Sequence, residues 1–168
     1  MAAGWAVDLF LGEQTREHGD IEIGIPDASF PEVRRHFPGY VFDAAGSGRI
    51  WEDAPPEALA AVHQTWLRDP ATGLYLLDVF REPHDGDVWI CRRDERIRLP
   101  YGEIIHHDHD GIPYLAPELV LLFKAKHARD KDRRDFDATV PHLTRAQRET
   151  LAELLARVHP GHPWLEDL

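Results

Sequence analysis

The chain has 168 residues and a mass of 19.2 kDa, enough for one domain with a core of its own. Hydrophobic residues at 43% and charged residues at 29% exclude a disordered chain, and the single cysteine, Cys91, excludes a disulfide framework or a Cys-rich zinc module. Thirty acids against nineteen bases leave a net charge of −11, which disfavours nucleic acid as a partner because neutralising phosphates takes Lys and Arg.

From the N-terminus, Ala3 to Leu11 reads as a short helix stopped by Gly12. His18 to Ile25 alternates, with Ile21, Ile23 and Ile25 on an apolar face and Asp20, Glu22 and Gly24 on a polar one, the pattern of a half-buried strand. Phe30 to Phe37 follows as a helix closed by Pro38-Gly39. Tyr40 to Asp43 and Arg49 to Glu52 are short strands around a turn at Ala44–Gly48. Val62 to Leu67 and Leu74 to Phe80 are two more strands, and Val88 to Cys91 is another. Ile97 to Pro113 has no clear period and reads as irregular.

The last third is helical. Pro117 opens a helix reaching about His127, Lys131 to Val140 is a second, and Thr144 with Gln147 forms a capping box before Leu151, Leu154, Leu155 and Val158. Strands first and helices last predict an α+β fold, a mixed sheet with C-terminal helices. The expected organisation is a core over residues 1–115 and a helical part of the same domain over 116–168. No apolar run approaches the roughly 18 residues of a membrane span. The N-terminus carries no basic leader, so a cytoplasmic location is expected.

The charge is uneven. Residues 1–80 carry −8 and residues 81–120 carry −4, whereas residues 121–140 carry +2 and 141–168 carry −1. One short basic segment, Lys124 to Arg134, thus sits in an acidic background. It suits a polyanion such as a triphosphate, or forms a solvated helix face with i,i+4 ion pairs.

Asp20 and Glu22 stand two apart on the predicted strand, so both point to one face. Side-by-side carboxylates repel unless a cation lies between them, and oxygen-only ligands favour Mg²⁺ or Mn²⁺. Asp78 interrupts the apolar run Leu74–Phe80, and an acid buried there without a partner is expensive. Three strand-borne acids suit a two-metal phosphoryl-transfer site. An exposed Asp-x-Glu pair is also common and inert.

The residues around the pair carry a resemblance. Gly4-Trp5-Ala6-Val7-Asp8, then Gly12, then Thr15-Arg16-Glu17-His18-Gly19-Asp20-Ile21-Glu22 resembles the signature of the aminoglycoside and lincosamide nucleotidyltransferases, within the DNA polymerase β nucleotidyltransferase superfamily. Arg129-Asp130-Lys131-Asp132-Arg133-Arg134-Asp135 resembles the Arg-x-Lys-Asp-x-x-Asp helix of related enzymes. Two positions depart from the pattern: Ala3 stands where the family has its first Gly, and Glu22 replaces the usual Asp.

The resemblance implies a nucleotidyltransferase fold and transfer of a nucleoside monophosphate, AMP from ATP, to a hydroxyl of a small cationic acceptor such as an aminoglycoside or lincosamide. It implies Asp20, Glu22 and Asp78 as the catalytic set and the ligands of two Mg²⁺ ions, with Asp78 near the attacking hydroxyl. It implies Gly4, Trp5, Arg16, Arg129 and Lys131 as nucleotide contacts. Two alternatives are a toxin-type transferase acting on tRNA or protein, against which the low count of bases speaks, and a non-catalytic nucleotide-binding domain.

Other residues have plainer expectations. His106-His107-Asp108-His109-Asp110 is read as a solvated loop before it is read as a metal site. His18 is either a partner of the metal carboxylates or a strand-end histidine. Trp51, Trp66 and Trp89 are expected in the core. Arg92, Arg93, Arg96 and Arg98, interleaved with Asp94 and Glu95, read as a paired surface strand-turn, and Cys91 as a small buried hydrophobe.

Overall fold

A computed structural model describes residues 1–168. By contact density the chain forms two compact units, one of Met1–Glu17 with Gly102–Leu168 and one of His18–Tyr101.

The unit of His18–Tyr101 is built on a five-stranded mixed sheet. Its strands are β1 (Glu22–Pro26), β2 (Val41–Gly46), β3 (Arg49–Trp51), β4 (Gln64–Arg68) and β5 (Tyr75–Glu82), in the order β1-β5-β4-β2-β3. β1 runs parallel to β5, and every other pairing is antiparallel. One face packs on the helices Phe30–His36 and Pro56–Ala61. Phe30, Phe42, Leu67 and Val79 are buried there, with Ile23, Ile25 and Leu77 against them, and the Phe30 and Phe42 rings meet edge-to-face at 5.1 Å. Three short strands, β6 (His84–Asp85), β7 (Val88–Ile90) and β8 (Arg98–Pro100), form a second sheet around the buried Trp89 and Cys91.

The other unit is mainly helical. It holds α1 (Ala3–Leu11), α5 (Pro117–Lys124), α6 (Asp130–Thr139) and α7 (Arg145–Val158), where α2 and α3 denote the two helices of the sheet unit and α4 is the short turn Tyr101–Ile104. A hairpin of β9 (Ile105–His107) and β10 (Pro113–Leu115) packs with them. Ala6 and Val7 of α1 bury against Val120 and Tyr114. Phe136 stacks on Trp164 at 4.3 Å, and Leu119, Leu122, Leu151 and Leu155 are fully buried. The Thr144–Gln147 capping box at the start of α7 is formed as expected.

The α+β class with a mixed sheet and C-terminal helices is therefore observed, and several boundaries move. The strand expected from His18 begins only at Glu22, so Asp20 lies in the bend before β1, and Ile21 is 44% exposed instead of buried. The turn expected over Ala44–Gly48 shrinks to Ser47-Gly48. Both residues have positive φ, which suits a two-residue hairpin, and Ala44–Gly46 join β2. A Cβ on Gly46 would lie 2.5 Å from Val62 Cγ1, so close packing requires that glycine. Residues 97–113 are not irregular: β8, α4, β9 and the first residue of β10 lie there, each too short to show a period. The helix Pro56–Ala61 was not foreseen, because Pro55-Pro56 reads as a turn while serving as its first turn. No helix is long and apolar enough to cross a membrane.

Candidate functional site

The parallel ladder between β1 and β5 pairs Glu22 with Asp78 directly, and residues opposite each other share a face. The Asp78 amide also donates to the Ile21 carbonyl at 2.8 Å, which draws the segment carrying Asp20 alongside. As a result Asp20, Glu22 and Asp78 present carboxylate oxygens that all lie within 4.8 Å of one another. Asp20 is exposed, Glu22 is half-buried and Asp78 is 6% exposed.

Asp78 sits between Leu77 and Val79, which face the apolar core, so its own side chain faces away from it. Gln64, across the β4–β5 hairpin, donates to Asp78 Oδ2 at 2.5 Å, and the Trp66 indole donates to the same carboxyl. Oδ1 has no hydrogen-bond partner although it is buried. Burial raises the Asp78 pKa from 3.8 to about 7, helped by the charges of Glu22 and Asp20 and opposed by the bonds from Gln64 and Trp66. A buried carboxylate oxygen lacking a donor, aimed at two further carboxylates, fits a hard divalent cation and fits a softer metal poorly, since every donor is oxygen.

The sequence-predicted nucleotide contacts all lie in the helical unit. Gly4 is buried and Trp5 half-buried at the start of α1, whose N-terminus has no side-chain cap. Ala3 has φ +48°, a left-handed conformation that glycine adopts without strain; the residue the family pattern places there is glycine. Asp8 is buried and accepts from Thr15 through both the backbone N–H (3.1 Å) and the hydroxyl (2.7 Å), so these two motif residues clamp the loop after Gly12. Arg16 is held by Asp135 through two bonds of 3.0 and 3.2 Å.

In the basic segment, Arg129 turns back onto Asp132 at the start of α6, and Lys131 is exposed. The buried cation there is Lys124, 2.6 Å from Asp135 and 3.6 Å from Asp132, and it holds both acids ionised together with Arg16 and Arg129. Its signal in the sequence was a lone lysine closing the apolar run Leu119–Phe123. A cavity of about 490 Å³ lies beside α7, lined by Leu143, Arg145, Arg148, Glu149, Ala152 and Leu168, and contains none of the predicted site residues.

The remaining expectations resolve simply. Of the His106–Asp110 run, His106 and His107 belong to β9 and pair with Tyr114 and Pro113 instead of lying in a loop, and only the residues from Asp108 form the hairpin tip, where Asp108 accepts from the Asp110 and Ile112 amides and so serves the turn. Arg96 pairs with Asp94 on the surface, whereas Arg92 reaches Glu82 inside. Trp89 is core, while Trp51 and Trp66 are only half-buried, contrary to expectation. Gln64 and Trp66 went unmarked in the sequence because only strand pairing sets them beside Asp78, and Asp43 and Tyr75 because only tertiary contacts join them to Trp66 and Arg68.

Residues 1–52 match the family model described as aminoglycoside-2''-adenylyltransferase. Among matching solved structures is one titled "Solution Structure of Antibiotic-Resistance Factor ANT(2'')-Ia Reveals Substrate-Regulated Conformation Dynamics". It is 17% identical with a TM-score of 0.58, and the match covers 93% of this chain and 80% of that one. No curated protein matches the chain. The matched residues 1–52 include Asp20 and Glu22, and the likeness to the solved structure shows the fold.

Proposed function

The chain is aminoglycoside-nucleotidyltransferase-like in residues 1–52 and in its fold, and from that premise we propose that it transfers a nucleoside monophosphate from ATP to a hydroxyl of a small cationic acceptor. The observation that carries this reading is the juxtaposition of Asp20, Glu22 and Asp78 with a buried, unpartnered oxygen on Asp78.

Asp20, Glu22 and Asp78 would hold two Mg²⁺ ions, which when bound supply Lewis-acid stabilisation of charge on the phosphate oxygens. In the transfer, the acceptor oxygen forms a bond to the α-phosphorus, the bond to the bridging oxygen breaks and pyrophosphate leaves. The hydroxyl proton passes to Asp78, the general base of the proposed site. Gln64 and Trp66 fix the orientation of Asp78 from the neighbouring strand, so the base is positioned before the acceptor arrives. Gly4, Trp5, Arg16, Arg129 and Lys131 are the proposed nucleotide contacts, taken from the resemblance.

The test is pyrophosphate release with ATP, Mg²⁺ and a panel of aminoglycosides and lincosamides. Turnover dependent on Asp20 supports the reading. Absence of turnover with every acceptor, together with no Mg–ATP binding by calorimetry, overturns it.

A further inference from the structure

The face of the sheet that carries the carboxylates also carries an aromatic pair, Trp66 and Tyr75. Trp66 lies opposite Asp78 in the β4–β5 ladder, and Tyr75 lies opposite Arg68. The two rings meet edge-to-face, with centroids 5.1 Å apart and planes at 68°. At its far end the Tyr75 hydroxyl donates to Asp43 Oδ2 at 3.1 Å. Asp43 is completely buried and is itself fixed by two bonds from Arg68, at 2.6 and 3.1 Å, and by the Asp53 amide at 2.9 Å. A buried carboxylate thus orients the side chain of Tyr75, a residue that stays 46% exposed, and Leu76, at 43%, follows it along the strand. Rings held in place yet left open to water are a preformed surface for a ligand.

The charge on this face selects the ligand. Asp20, Glu22 and Asp78 stand at one end of it. Of the cations on β4 and β5, Arg81 is paired with Asp27 beside Phe30 and Arg68 is neutralised by Asp43, and Arg92, whose guanidinium lies over Phe80, is paired with Glu82. An anion finds no uncommitted positive group there, whereas an ammonium finds both carboxylates and aromatic faces. We propose that the Trp66–Tyr75 pair is the docking platform for the acceptor, and that it takes a ring-shaped polyol bearing amines, with an ammonium against the aromatic faces and a hydroxyl presented to Asp78. The proposal rests on the transfer reading and specifies which side chains choose its acceptor.

The test is calorimetry of an aminoglycoside and of an uncharged disaccharide, with Mg–ATP binding and Asp20-dependent pyrophosphate release measured separately. The wild-type protein should bind the aminoglycoside and not the disaccharide. Trp66→Leu and Tyr75→Leu should each weaken that binding tenfold or more, and Tyr75→Phe by two- to threefold, with Mg–ATP affinity within twofold of wild type in the two Tyr75 variants. Tyr75 is half exposed, so its variants carry the test if Trp66→Leu does not fold. Wild-type affinity in both leucine variants, equal binding of the disaccharide, or no aminoglycoside binding overturns the platform. The transfer reading fails by a different result, the absence of pyrophosphate release and of Mg–ATP binding.

Discussion

The two faces of the five-stranded sheet are made from alternating residues of the same strands, yet they differ in almost every property. On one face Ile23, Ile25, Leu77, Val79, Leu67 and Phe42 pack against Phe30, Val33 and Phe37 of α2 and Leu59 of α3. On the other, Glu22, Asp78, Gln64, Trp66, Tyr75, Asp43 and Arg68 form a polar, partly open surface joined by side-chain hydrogen bonds. Each large apolar side chain on the first face contributes about 1.5–3 kcal/mol of burial. That stability allows the second face to keep a buried acid with an unpartnered oxygen, a feature that costs stability.

The sharpest way to separate the faces is to remove one carboxylate. Asp20→Asn should lower the transfer rate by about 10³-fold or more, with the melting temperature unchanged because Asp20 is exposed. Leu67→Ala is the converse: it should cost about 3 kcal/mol in urea unfolding, since Leu67 is 1% exposed in the apolar face. A loss of activity from Leu67→Ala in fully folded protein, or unfolding by Asp20→Asn, would break the division of labour.

Titration sharpens it further. The Asp78 pKa is raised to about 7 from 3.8. Below both values the folded and unfolded states are equally protonated, and its contribution to stability is fully present. As pH rises from about 4 to 7 the unfolded chain releases this proton first, so stability falls. In metal-free buffer Asp78→Asn should therefore be more stable than wild type at pH 8, by on the order of 4 kcal/mol, and the gap should close toward pH 4. The comparison with the variant isolates Asp78 from Asp43, Asp132 and Asp135, whose pKa values move the opposite way. The smallest effect belongs to Tyr75→Phe. Asp43 keeps Arg68 and the Asp53 amide, so chemical denaturation should show a loss of about 0.5–1 kcal/mol.

Much of this face was legible before the structure. Asp20 and Glu22 were marked by their spacing and by the motif before them, and Asp78 by being an acid inside an apolar strand. Trp66, Gln64 and Tyr75 were not, because alternation along β4 and β5 says which residues share a face but not which strand lies beside which. Within the basic segment Lys124 to Arg134 the sequence singled out Arg129 and Lys131, and the structure adds that Lys124 is the cation buried with Asp132 and Asp135.

By itself the sequence determined the class of fold, the helix ends with strong caps, and the identity of the three acids, because periodicity, capping and local motifs are short-range properties of the chain. Only the tertiary structure decided that Glu22 and Asp78, 56 positions apart, are ladder partners, that Asp78 is buried, and that Trp66 stands opposite it with Tyr75 against the Trp66 ring. Pairing of distant strands and the loss of water around a carboxyl depend on what the whole fold brings together, and no local pattern encodes them.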